Sequence, residues 1–163
     1  MSPYGEVWRF TRERLTQALD GLTPVQLVWR PHPGARNIGE MAYHMAGSEV
    51  WFSDRLGVQP PVVTPYSDRI AACVRAQFIT VDAFPFEESD MTPDRIATAL
   101  EFSGDRFRPL VDAPTPQMLE RPVETPLGPT VPGVAGIWRV VQHPAYHTGQ
   151  IWVYRQDPRF PSA

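Results

Sequence analysis

His143 and His147 stand four residues apart in the segment His-Pro-Ala-Tyr-His-Thr-Gly-Gln-Ile. On a helix advancing about 100° per residue, this spacing aims both imidazoles to nearly the same side, where they can grip one divalent metal ion. Gln150 and Tyr154 fall on that side too, as second-sphere or substrate-facing groups. A further imidazole, His44, sits in Met41-Ala42-Tyr43-His44-Met45, with Glu40, Ser48, Trp51 and Arg55 on its side of a helix. If the two faces meet, three neutral imidazoles surround one cation and leave a coordination position open, as in catalytic sites. Arg55 and Arg155 carry the forked donors that hold an anionic substrate.

Plainer readings stand beside these. On spacing alone, an H-x-x-x-H pair is more often a structural or surface coincidence, and a lone His44 is more often a packed core histidine. Glu40 fits a capping box better than a metal, the tryptophans fit core or interface, the arginines fit solvated or carboxylate-paired roles, and His32 between two prolines fits a loop. Metalloprotease chemistry is excluded, because Pro144 stands where that pattern needs a glutamate base. Pro144 also predicts either a kinked last helix or one whose regular part begins there, with His143 near the cap.

The elements that must position these residues are marked by their start signals. Ser2-Pro3 opens a first helix running to about Gly21, and Thr23-Pro24 opens a short one stopped by Pro31 and Pro33. Asn37 with Glu40 caps a second main helix ending near Gly57, followed by a proline-rich loop over 58–66 and a short helix from Ser67 to about Phe78. Thr92-Pro93 starts a third main helix whose apolar stripe of Ile96, Ala99, Leu100, Phe107 and Leu110 is broken by Pro109 and Pro114. Thr115-Pro116 begins one more turn, residues 121–133 form a loop without convincing strands, and the last helix spans about Val134 to Gln156. The expectation is an all-α chain, four main helices in an antiparallel bundle with long, proline-stiffened connections.

Composition narrows the functions. The 163 residues fit a single domain, 1–163, with a core large enough to fold without metal staples. Cys73 is the only cysteine, which excludes disulfide frameworks and Cys-rich zinc modules and points to a reducing cytoplasm; the residue itself reads as packed. No signal peptide or membrane span is evident, so a soluble cytoplasmic protein is expected. The net charge is −3 and all fifteen basic residues are arginines scattered along the chain, which argues against nucleic acid and membrane partners and for a small-molecule substrate.

Two segments acquire more meaning together: Trp29-Arg30-Pro31-His32-Pro33-Gly34-Ala35-Arg36-Asn37-Ile38-Gly39-Glu40 leading to His44, and His143-x-x-x-His147-Thr148-Gly149-Gln150-Ile151 leading to Arg155. In order, spacing and flanks they resemble the DinB/YfiT-like family. The resemblance implies a four-helix bundle with an atypical connection order, a homodimer, and a divalent metal, zinc or nickel, on His44, His143 and His147. Relatives of that kind include bacillithiol or glutathione S-transferases and a mycothiol-dependent isomerase, in which the metal makes a cofactor thiolate available for attack. The implied activity is a metal-dependent thiol S-transferase acting on a small electrophile, with a low-molecular-weight thiol such as bacillithiol as cofactor and no further catalytic residue named. The alternatives are a metal-dependent hydrolase, which would need a general base, and a non-catalytic, stress-related metal-binding protein. Pro144 and Thr148, the latter where many relatives carry arginine, depart from the family pattern.

Overall fold

The computed structural model describes residues 2–57, 64–76, 83–126 and 128–162. Its helices are α1 (Pro3–Leu19), α2 (Pro24–Val28), α3 (Ile38–Leu56), α4 (Pro65–Ala72), α5 (Pro93–Asp112), α6 (Pro116–Glu120) and α7 (Gly133–Arg155). A Ser-Pro or Thr-Pro pair opens α1, α2, α4, α5 and α6: the hydroxyl accepts a backbone N–H one turn on, and the proline sits where a helix needs no donor. The fold is all-α apart from a small antiparallel pair, β1 (Pro122–Glu124) and β2 (Thr130–Pro132), in which Val123 faces Val131. No described helix is long and apolar enough to cross a membrane.

The four long helices are not a simple antiparallel bundle. Tyr4 packs on Trp138, Thr11 bonds Val141 and Arg155 bonds Ala18, so α1 and α7 run parallel. Glu49 meets Ser103 and Asp54 meets Arg106, so α3 and α5 also run parallel. The antiparallel contacts are α1 with α5, through Trp8 on Phe107 and Arg12 on the Leu100 carbonyl, and α3 with α7, through His44 on His147 and Phe52 beside Gly136. The reason lies in the α3 to α5 connection, which is long enough to carry the chain back to the end from which α3 started.

Several boundaries differ from the sequence expectation. The short helix α4 starts at Pro65, capped by Thr64, and ends at Ala72; residues 77 and 78 of the expected helix lie outside the described residues. Pro109 does not end α5, which continues to Asp112. Its missing N–H leaves only the carbonyl of exposed Asp105 without a helical donor, and water can serve there. The strands β1 and β2 replace the expected loop; they are too short to show alternation, and Pro126 and Pro129 beside them lie near α7. A one-turn 3₁₀ segment at Glu88–Asp90 was likewise not expected.

The centre of the molecule is α3, buried on almost every side. Its N-terminus is held by a capping box in which Asn37 and Glu40 satisfy each other's backbone, and Arg30 clamps the Glu40 carboxylate through two hydrogen bonds, one of 2.8 Å. On its outer side, Gly47 lets α4 come close: a Cβ there would lie 2.6 Å from the Ile70 carbonyl oxygen and 3.0 Å from the Val74 nitrogen. This approach is what sets the end of α4 over His44. The substitution Gly47→Ala is expected to cost about 1–3 kcal/mol through overpacking against backbone, measured by denaturant unfolding of the metal-free protein.

Candidate metal centre

The structure brings His44 of α3 together with His143 and His147 of α7. One ring nitrogen from each lies within 4.8 Å of the others, and ring centroids are 4.6–5.2 Å apart. His44 and His147 are buried and His143 is half-buried. Pro144 leaves α7 continuous from Gly133 to Arg155, so the version in which the regular helix begins at Pro144 does not hold. Pro144 has no N–H for the Val140 carbonyl, and next to that break Thr11 of α1 donates its hydroxyl to the Val141 carbonyl at 2.9 Å.

Hydrogen bonds fix which nitrogen is basic in two of the three rings. His44 Nδ1 lies 3.1 Å from the carbonyl oxygen of Cys73, at the end of α4, so Nδ1 carries the proton and Nε2 the lone pair. His147 Nδ1 lies 2.7 Å from Gln150 Oε1 and donates to it, which leaves its Nε2 basic as well. That Nε2 faces His143 Nε2 at 2.9 Å, a separation that suits either an N–H donated by His143 or one cation shared by the two nitrogens. Metal–nitrogen bonds of about 2.0–2.1 Å put neighbouring ligand atoms around 3 Å apart, so the donor set fits a divalent ion.

Electrostatics keeps the rings neutral. Burial, then the Arg36 guanidinium, lowers His44 to about 2. Burial, His147 and Arg36 lower His143 to about 3. Burial lowers His147 to about 4 against the opposing pull of its bond to Gln150, with Arg36 adding to the decrease. Arg36 is itself pulled down to about 10 by burial and donates to the Ala76 carbonyl at 2.7 Å. It immediately precedes the Asn37 cap, and that adjacency was the one sequence signal of its place beside the site.

A cavity of about 430 Å³ opens on the three histidines, with Ser48, Phe52, Val74, Arg139, Val140 and Tyr146 among its walls. Ser48, on the expected side of His44, is therefore present, while Trp51 and Arg55 are not. The Arg55 guanidinium stacks on the Trp51 ring at 3.2 Å and donates to the Trp51 carbonyl. Arg155 donates to the carbonyls of Ala18 and Asp20. Tyr154 packs on Trp29 and lines a separate cavity behind His147, with His32, Arg36 and Gln150. Glu40 stays with its cap and Arg30. Cys73 is fully buried, and burial pushes its thiol well above the ordinary range.

Sequence reasoning missed Glu49, a buried carboxylate that receives Trp8 Nε1 at 2.8 Å and Ser103 Oγ and pairs with Arg12 at 3.3 Å, away from the histidines. It also missed Arg139, four residues before His143, although the same wheel that joined the two histidines would have found it.

The family model for the DinB superfamily matches residues 8–151, from α1 into the last turns of α7, with all three histidines inside the match. The chain belongs to the DinB superfamily. No curated protein matches it. As a DinB superfamily member it carries a three-histidine cluster able to hold a metal ion, and the order of its helices has the unusual connectivity that the sequence resemblance implied.

Two outcomes are expected of this site. The folded pKa values lie below the ordinary 6.5, so the unfolded chain binds more protons in acid. Stability of the metal-free protein is then complete above about pH 6.5 and falls on acidification, approaching about 1.4 kcal/mol per pH unit for each histidine. Denaturant unfolding at pH 7 and pH 5 checks this, and His44→Gln should flatten the slope. Replacing Gln150 by Ala should weaken zinc binding about tenfold in a competition titration, because His147 loses the partner that fixes its tautomer.

Proposed function

We propose that this DinB superfamily protein is a divalent-metal-dependent thiol S-transferase acting on a small electrophilic molecule. The observation that carries the reading is the convergence of three neutral imidazoles on a largely apolar cavity in which, among the described residues, no carboxylate stands. His44, His143 and His147 would hold zinc or nickel, whose bound form supplies the positive charge that makes a thiol acidic enough to ionise at neutral pH.

The chain's own residues do the rest. Cys73 through its carbonyl and Gln150 through its side chain keep two imidazoles turned with Nε2 toward the centre. Phe52, Val74 and Val140 give the cavity apolar walls on which an apolar electrophile would rest. A low-molecular-weight thiol such as bacillithiol gives up its proton to solvent, its sulfur forms a C–S bond to the electrophilic carbon, and the leaving group departs with the electron pair of the broken bond.

A hydrolase would need a base beside an attacking water. The two buried glutamates nearest in sequence are committed elsewhere, Glu40 to Arg30 and Glu49 to Trp8, Arg12 and Ser103. We place the activity in a reducing cytoplasm, which suits a chain with one buried cysteine. Self-association belongs to the same reading, supported by exposed Trp138, Tyr146, Trp152 and Val153 on α7.

The test is a rate assay of zinc- and nickel-loaded protein with bacillithiol, glutathione and mycothiol against monochlorobimane, which loses chloride on substitution. At least one thiol should react well above the metal-free control, and His143→Ala should remove the excess. Rates equal to the control with every thiol would overturn the reading.

A further inference from the structure

One wall of the histidine cavity carries a charge that no described residue neutralises. Arg139 lies one helical turn before His143 on α7, and the two side chains leave the helix about 40° apart. It is half-buried and lines the cavity. Among the described residues no carboxylate pairs with it and no hydrogen bond engages it. Other partly buried arginines are held: Arg12 by Glu49, Arg30 by Glu40, Arg106 by Asp54, and Arg121 by the carbonyls of Arg55 and Gly57. A side chain with a fold-stabilising role would be expected to have such a partner.

The surroundings favour an anion from outside. Among the described residues lining the cavity, Arg139 has the only permanent charge, and Phe52, Val74, Val140, Pro126 and Pro129 offer apolar walls. Beside such walls a guanidinium attracts an anion more strongly than in open water, and its planar fork matches a carboxylate. We infer that the cavity takes a small molecule with an apolar body and one carboxylate, and that Arg139 holds the carboxylate while the other end reaches the histidines. This rests on reading the histidines as a metal centre.

The probe set is cobalt(II)-loaded protein titrated with ω-mercaptocarboxylates, from mercaptopropionate to mercaptohexanoate, each beside the mercaptoalcohol of equal length. Binding is read from the sulfur-to-cobalt charge-transfer band, so no turnover is needed. At one or more lengths the acid should bind about tenfold more tightly than the alcohol, and Arg139→Gln should bring the two to within about twofold. The alcohol's affinity and the cobalt spectrum should not change, and Arg139→Lys should keep part of the preference. Equal binding of acid and alcohol at every length, or a preference that survives Arg139→Gln, overturns the inference and leaves the metal centre standing. Failure of cobalt to bind overturns both.

Discussion

A helix buried on nearly all sides must find partners inside the protein for each polar group it carries, and α3 is such a helix. Its N-terminal donors are met by Asn37 and Glu40, and the charge of Glu40 by Arg30. Ser48 and Ser53 return their hydroxyls to carbonyls one turn back, and Glu49 is met by Trp8 of α1 and Ser103 of α5. His44 has the Cys73 carbonyl on one nitrogen and the α7 histidines across from the other. Burial thus explains in one stroke why the imidazole is neutral, why its tautomer is fixed and why its basic nitrogen points into a cavity.

Covering α3 also explains the connectivity. The parallel neighbours α3 and α5 cannot be joined by a tight turn, and α5 and α7 sit across the bundle from one another, so the chain spends long segments on both crossings. One of these becomes α4, which roofs α3 at Gly47 and delivers the carbonyl that orients His44. Another becomes α6 with the small β pair, beside which Pro126 and Pro129 line the cavity wall. The connections are therefore part of the site's construction.

Much of this was legible in the residues because it is local. Ser-Pro and Thr-Pro pairs and the Asn37–Glu40 box announce helix starts through bonds within one turn, and the His143–His147 spacing reports a shared face. What escaped depends on the environment. Pro109 reads as a breaker until the carbonyl it orphans proves to be exposed, and β1 with β2 is too short to leave a period. Arg55 shares a wheel face with His44 yet stacks on Trp51, since a wheel gives direction but not which neighbour arrives there. Arg36 and Arg139 took their importance from cavity walls that only the tertiary structure assembles.

The antiparallel pairing of α3 with α7 joins ligands that are far apart in the chain. During synthesis, His44 leaves the ribosome well before His143 and His147 exist, and a lone imidazole binds metal weakly. Once α7 docks, a bound cation would close the long loop between His44 and His143 and act as a latch on the finished topology.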